Sequence, residues 1–345
     1  MNFEFNENQN DLRMMVRELA EKEIGPRAKE NDEKDVIAPV DIFKMMADMG
    51  LTGIGVPEEY GGPEATDIER MIAIEEIAKK DGAVATILAV HGMLIQALVK
   101  YGTEEQKMKY LPDLLSGKKI GAFGLTEPNA GTDASGQQTT AVKNENGDYV
   151  LNGSKCFITN GTVAGTIVVF AMTDQKAGNH GISAFIVEKD FPGFSTGKHE
   201  KKMGIRGSST CDLIFEDCIV PKENLLGKEG EGFKIAMQTL DGGRIGIAAQ
   251  ALGLGEGAID EAVKYTQERV QFKKRLSQFQ NTQFQLAEMH TRMQAAQYLV
   301  YAAAMKKEKH EPYSVAPLWR SCLLLSPPLT TRRAVQLFGG YGVHP

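Results

Sequence analysis

Apolar residues recur along this chain at two different periods, and the switch between them divides it into three stretches. Leu12, Met15, Val16 and Leu19 fall at helical spacing after Asn8 and Asn10, and the pattern stops before Pro26. Thr66 with Glu69, and Thr103 with Gln106, are capping-box pairs, each followed by apolar residues at helical spacing. Between them, Gly82–Gly102 is apolar on most faces through Val84, Ile87, Leu88, Leu94, Ile95 and Leu98, which predicts a buried helix. From Lys119 to Val220 the pattern changes to short β-rich runs: Tyr149–Leu151, Cys156–Thr159, Thr166–Met172, Ile182–Glu188 and Asp212–Glu216. Gly147-Asp148, Gly178-Asn179 and Pro192-Gly193 mark their turns. No helices intervene, which favours an antiparallel sheet or small barrel over a parallel α/β sheet. After Pro221 the helical period returns, first from Gly232 to Val270 and then from Asn281 to His310. Phe284, Leu286, Met289, Met293, Ala296 and Val300 are the expected inward residues of the second. The predicted class is α+β: helical over 1–117, β over 118–222, helical over 223–345.

Composition narrows the function classes. The 345 residues are 42% hydrophobic and 24% charged, ordinary for a globular protein and enough for large cores. A net charge of −6 with no basic stripe argues against nucleic acid. The basic run Lys306–Lys309, interrupted by Glu308, reads as a solvated helix end. Cys156, Cys211, Cys218 and Cys322 lack metal-ligand spacing, and Cys211 and Cys218 flank a predicted strand, so free thiols in a reducing cytoplasm are expected and no metal. The N-terminus is too polar for a signal peptide, and no apolar run of about 18 residues predicts a membrane span.

The candidate chemistry lies in Gly121–Gly136, GAFGLTEPNAGTDASG, and in Leu151–Gly161, LNGSKCFITNG. Gly124, Ala130, Gly131, Ala134 and Gly136 let backbone N–H groups approach a ligand, with hydroxyls at Thr126 and Thr132 between them. The stretch is neither a phosphate P-loop nor a dinucleotide fingerprint. Taken alone it is equally an ordinary polar loop, and either threonine a strand hydroxyl. Further along, Asp241-Gly242-Gly243-Arg244 interrupts a helical pattern with two glycines, each costing about 1 kcal/mol relative to alanine. Close approach of a ligand and dense helix packing are both open explanations.

In sequence and in spacing, A-F-G-L-T-E-P-N-A-G-T-D and N-G-x-K-x-F-I-T-N resemble the flavin-binding signature of the acyl-CoA dehydrogenase family. The resemblance runs from about Phe5 to Pro312, returns at Ala334–Gly342, and is nearest the short-chain, butyryl-CoA-type bacterial members. It implies an N-terminal helical domain, a middle β domain and a C-terminal helical bundle. It also implies FAD as cofactor, an acyl-CoA substrate, an electron-transferring flavoprotein as partner, and a homotetramer. Phe123, Leu125, Thr126 and Thr132 then belong to the flavin segment, with Thr126 near the reactive ring nitrogen. Phe157, Ile158 and Thr159 lie along the ring, and Thr132, Asp241 and Arg244 serve the acyl-CoA. Arg269 and Phe272 match the family's R-x-Q-F segment, whose arginine reaches the FAD pyrophosphate of a neighbouring subunit. Gln280 matches another FAD contact, and Gln336, Gly339 and Gly340 match the segment over the adenosine part. Lys273 stands where the family usually has Gly.

The resemblance also has gaps. Ala316–Arg333 lacks the expected Ala-rich helix, and Pro327-Pro328 should break one at about 3 kcal/mol or more. The family's I-Y-E-G-T glutamate, its usual base, is expected beyond the end of the sequence, so no catalytic base is assigned. The position where some branches keep that glutamate is Gly243. The implied reaction is α,β-dehydrogenation of a short-chain acyl-CoA to the trans-2-enoyl-CoA. A catalytically impaired flavin- or CoA-binding remnant and an acyl-CoA oxidase are the alternatives.

Overall fold

The computed structural model describes residues 4–34, 39–313 and 327–342. It contains nine α-helices among the described residues: α1 Glu7–Leu19, α2 Gly25–Glu33, α3 Val40–Asp48, α4 Asp67–Ala78, α5 Gly82–Tyr101, α6 Glu104–Leu115, α7 Gly232–Glu268, α8 Gln280–Glu308 and α9 Pro327–Phe338. The chain divides into two compact units, Lys29–Ala65 with Thr86–Gly243, and Met1–Ala28 with Thr66–Ala85 and Arg244–Pro345.

The first of these units is built on an eight-stranded sheet: β1 Ile120–Gly124, β2 Thr140–Lys143, β3 Tyr149–Thr159, β4 Ala164–Met172, β5 Ile182–Glu188, β6 Phe194–Thr196, β7 Thr210–Val220 and β8 Leu225–Leu226. The order is β6-β7-β3-β2-β4-β5-β8, with β1 pairing β4 off that path. Most pairs are antiparallel, as the short turns require. The sheet is nevertheless mixed, because β1 and β2 both run parallel to β4. Two predicted runs, Tyr149–Leu151 and Cys156–Thr159, are one strand, since the polar residues between them continue the ladder to β7 through two register shifts. For the same reason Cys211 and Cys218 lie inside β7, opposite Ile158 and Leu151, rather than flanking it.

β4 is buried on both faces and serves two cores. Val168, Phe170 and Met172 pack with Leu94, Leu98, Leu111 and Leu114 of α5 and α6. Ile167, Val169 and Ala171 pack with Leu151, Phe185, Leu213 and Phe215. The turn before β6 requires Gly193, where φ is +82° and a Cβ would stand 2.4 Å from the Glu216 carbonyl oxygen, so only glycine fits.

The other unit is helical. The Thr66–Glu69 capping box opens α4, and in the first unit Thr103–Gln106 opens α6 in the same way. The first helix, α1, ends at Leu19, before Pro26, but helical backbone continues past it. A π-helical turn at Ala20–Ile24 leads into α2, where Pro26 is the second residue and its missing N–H costs little. Among the described residues α9 begins with Pro327 and Pro328, positions where a proline's missing N–H costs little. The rest of the atypical segment, 316–326, and Cys322 lie outside the described residues. On α8, Met289, Met293, Ala296 and Val300 are buried as expected and Leu286 is partly so, but Phe284 is 63% exposed. By length and composition α5 could cross a membrane, with mean hydropathy 1.9 over an 18-residue window. In the fold 61% of that window is buried, as in the core helix that its apolar pattern predicts.

Candidate functional site

The predicted site residues fall in both units. In the sheet unit, Phe123 lies on β1, and Leu125 and Thr126 directly follow that strand. Phe123 packs against Phe170 with ring centroids 5.0 Å apart, and Leu125 is buried. Thr126 is half-buried, and its carbonyl accepts a hydrogen bond of 2.9 Å from the Cys156 N–H. That bond joins the two sequence motifs. The Glu127–Ala130 turn then closes on two backbone bonds of 3.2 and 3.0 Å, with Pro128 and Asn129 exposed at its tip. Thr132 lies beyond it, exposed.

On β3 the chain bends at Phe157, where φ is +57° and the ring is 67% exposed. A left-handed aromatic residue costs free energy and persists only where its surroundings hold it. Here they do: Asn160 is fully buried and donates to the carbonyls of Ile87 at 3.2 Å and Gly121 at 3.0 Å, while its N–H bonds Ser209. Thr159 is half-buried. The Ile158 side chain is 3% exposed and faces the sheet core.

Sequence reasoning passed over three charged or polar groups beneath this surface. Lys155 is fully buried and pairs with Glu127 at 2.6 Å. Burial pulls the ammonium down to about 8. The Glu127 carboxyl, despite its own burial, is held below the ordinary range by Lys155 and by N–H donors from Gln138 and Thr139. His91, also fully buried, accepts from the Gly121 N–H at 2.9 Å, and burial drives its imidazole down to about 3, so it is neutral. A lysine inside the quoted motif was the available signal for the pair, masked because charges in strands usually face water.

The tetrapeptide Asp241–Arg244 does not interrupt its helix; α7 runs unbroken from Gly232 to Glu268. At Gly243 a Cβ would meet the Met93 sulfur at 3.1 Å, which favours close packing as the reason for that glycine. Arg244 is exposed and Asp241 half-buried.

In the helical unit, the expected Arg269, Gly339 and Gly340 come together. With Tyr265, Phe338 and Tyr341 they line a cavity of about 480 Å³. The Arg269 guanidinium lies 5.9 Å from the centre of the Tyr341 ring, and Tyr265 packs on Phe338 at 4.6 Å. A Cβ on either glycine would meet nothing within 4 Å, so backbone here is open to a ligand. Phe272 and Lys273, with φ +52° and +63°, form the turn of a two-strand hairpin, β9 Val270–Gln271 and β10 Lys274–Arg275. This is the doubly left-handed geometry of a type I′ turn. Lys273 thus adopts the conformation for which a glycine is usual, and Phe272 is 88% exposed at the tip. Gln280 begins α8, and Gln336 lies on α9; both are exposed. Among the described residues no cluster of His, Cys, Asp or Glu could hold a metal ion.

These two surfaces fit FAD in kind. The sheet unit offers an exposed aromatic ring and hydroxyls, and the helical unit offers an arginine beside an open glycine backbone in one cavity.

The comparisons with known proteins agree with this geometry. Models of the acyl-CoA dehydrogenase N-terminal, middle and C-terminal domains match residues 6–118, 122–218 and 230–345. A short-chain specific acyl-CoA dehydrogenase of Clostridium acetobutylicum is 52% identical over 99% of this chain and 90% of its own length. The butyryl-CoA dehydrogenase structure from Megasphaera elsdenii superposes with a TM-score of 0.96 at 48% identity, covering 100% of this chain and 91% of that one. A structure from work on the electron transferring flavoprotein of Acidaminococcus fermentans superposes equally, TM-score 0.96 at 52% identity, covering 100% and 90%. The chain belongs to the acyl-CoA dehydrogenase family.

Proposed function

We propose that this protein is a short-chain acyl-CoA dehydrogenase that oxidises butyryl-CoA-like thioesters to trans-2-enoyl-CoA and passes the electrons to an electron-transferring flavoprotein. The observation that carries this reading is the juncture of Thr126 with Cys156, which sets the two flavin motifs side by side at the residue preceding the exposed, strained Phe157. The reaction needs a base for the α proton, an acceptor for the β hydride and donors to the thioester oxygen. FAD supplies the hydride acceptor, since protein side chains are poor at that task.

The chain's own residues bind and orient. Phe123, Leu125, Thr126 and Thr132 would form the flavin segment, with Thr126 the residue that would serve the reactive ring nitrogen. Phe157, the Ile158 backbone and Thr159 line the ring. Arg269, Phe272, Gln280, Gln336, Gly339 and Gly340 hold the pyrophosphate and adenosine portions of a neighbouring subunit's FAD, which makes the working form a homo-oligomer, a tetramer in this reading. Thr132, Asp241 and Arg244 serve the acyl-CoA. We assign no base among the described residues, and Gly243 excludes the alternative position. The buried, unpaired thiols of Cys156, Cys211 and Cys218 support a cytoplasmic setting.

Anaerobic titration of the FAD-loaded protein with acyl-CoAs of graded length tests the reading. Bleaching of the flavin absorbance, strongest with butyryl-CoA, is expected. A yellow protein that no acyl-CoA bleaches would instead favour binding without catalysis, and hydrogen peroxide release under air an oxidase.

A further inference from the structure

We propose that the buried Lys155–Glu127 ion pair is a positioning latch that sets the height and orientation of the Leu125–Glu127 segment, and with it the Thr126 hydroxyl, against the flavin. The inference rests on the functional reading above for its ligand, and on the geometry of the sheet unit for its mechanism.

Lys155 stands on β3, and its ammonium reaches three acceptors. It donates to the Glu127 carboxylate at 2.6 Å, to the Gln137 side-chain oxygen at 3.0 Å and to the Leu125 carbonyl at 3.3 Å. An ammonium has three protons, so all are used. The Glu127 carboxylate in turn accepts the N–H groups of Gln138 at 2.7 Å and Thr139 at 3.1 Å. Three chain segments therefore meet at one buried pair: the end of β1, the approach to β2, and β3 itself. Thr126 sits between two of the tethered residues, Leu125 and Glu127, and its own carbonyl is tied to the residue after Lys155. Phe157 follows two residues after the lysine.

Lys155 is fully buried and Glu127 5% exposed, so the pair touches no ligand and acts only through the residues it holds. Burying two charges is costly, and a well-packed apolar pair often stabilises as well or better. What an apolar pair cannot do is aim: three directed bonds from one atom fix the backbone at Leu125 and the carboxylate at Glu127 in a single arrangement. Of the sheet unit's buried charges, this pair lies directly under the motif residues, which is where such directional control is of use.

Lys155→Met alone would leave the Glu127 carboxylate buried and unpaired, and misfolding would be uninformative. The decisive variant is therefore the double replacement Lys155→Met with Glu127→Leu, beside Lys155→Arg, which keeps charge and donors. Circular dichroism and thermal melting establish folding of each. Amide exchange at Thr126, Gln138 and Thr139 is then measured without cofactor, and FAD affinity by reconstitution of the apoprotein. The double variant should fold, exchange these amides faster, and bind FAD about tenfold more weakly, equivalent to about 1.4 kcal/mol. Its kcat should fall more than KM rises, and Lys155→Arg should recover part of both losses. Unchanged exchange in a folded double variant overturns the latch whether or not FAD binds. Faster exchange with FAD affinity and kcat at the wild-type values limits the pair to a structural brace and also overturns it. Failure of the wild-type chain to bind FAD would overturn the functional reading instead, while the exchange comparison still decides the latch.

Discussion

At the scale of single residues, backbone strain marks the places where this chain gives up stability for a surface. Phe157 is left-handed and two-thirds exposed, a combination that packing alone does not reward. Phe157→Ala should leave the melting temperature unchanged or raised, while FAD affinity falls about tenfold, taking a ring contact as worth on the order of 1 kcal/mol. Reconstitution of the apoprotein measures this, and equal affinity would remove Phe157 from the flavin surface. Lys273 carries a similar strain with no ligand assigned to it. Lys273→Gly should stabilise the protein by up to about 1 kcal/mol by relieving a left-handed lysine. A lower midpoint in denaturant would mean that the lysine side chain makes a contact outweighing the strain. The sequence reading flagged both sites, Phe157 through its motif and Lys273 as a departure from the family's glycine. It could not foresee positive φ at either, because dihedrals follow from tertiary restraint such as the Asn160 bonds. Ile158 shows the opposite limit: its motif position pointed to the ligand, but the register shift between Lys155 and Ile158, with Phe157 left-handed inside it, turns the Ile158 side chain to the core.

At the scale of elements, helix α4 places two adjacent carboxyls in opposite environments. Glu75 points toward α8, where its carboxylate accepts from Tyr301 at 2.7 Å and Gln297 at 3.0 Å. Burial, and the charge of Glu256 on α7, raise it from the ordinary 4.5 to about 8, although Lys79 opposes the shift. Glu76 accepts from Arg13 and Arg17 on α1 and from Lys79, and these cations outweigh burial and lower it to about 2. The signs follow. Glu75 binds its proton more tightly when folded, so its contribution is complete below pH 4.5 and is lost as pH rises through about 8. Glu76 contributes above 4.5 and loses its contribution as pH falls through about 2. Glu75→Gln, which stays neutral at every pH, should therefore flatten the fall in melting temperature between about pH 5 and pH 8. A variant with the wild-type slope would show that Glu75 is already charged at neutral pH. Close approach of α7 to α4 makes a second prediction at this scale. A Cβ at Gly253 would stand 2.2 Å from the Glu75 carbonyl oxygen and one at Gly257 2.3 Å from that of Lys79. Gly253→Ala should destabilise by about 1–3 kcal/mol or more, read from the denaturant midpoint. Periodicity and caps made α4, α6 and α8 legible in the sequence. The π-helical turn before Pro26 was not legible, because a proline normally signals a helix end and the exception depends on the preceding hydrogen bonds.

At the scale of the whole molecule, the order helical, β, helical was readable because the apolar period changes cleanly near Lys119 and Pro221. The mixed character of the sheet was not, since the parallel pairing of β1 with β4 joins segments with no periodic link between them. The site suffers most at this scale: motif matching names its residues but cannot say which act on which ligand. Arg244 and Arg269 give the sharpest test. Both are exposed arginines near or on one long helix, and charge alone does not distinguish them. Arg269 lines one cavity with the open Gly339–Gly340 backbone and stands over the Tyr341 ring, a setting for a phosphate and an adjoining flat group. Arg244 belongs to the tetrapeptide read as the acyl-CoA end. Arg269→Ala should then lower FAD retention about tenfold or more, as expected for loss of a charge-assisted bidentate contact worth about 1.5–3 kcal/mol, with little change in KM for butyryl-CoA once FAD is in excess. Arg244→Ala should do the reverse, raising KM with flavin content near that of the wild type. Because the Arg269 contact crosses between subunits in this reading, light scattering supplies an independent check: FAD loading of the wild type should accompany a homo-oligomer. A monomer that holds FAD fully would refute the shared site even if both substitutions behaved as described, and a collapse of flavin content in Arg244→Ala with unchanged substrate affinity would mean that the two arginines have been assigned the wrong way round.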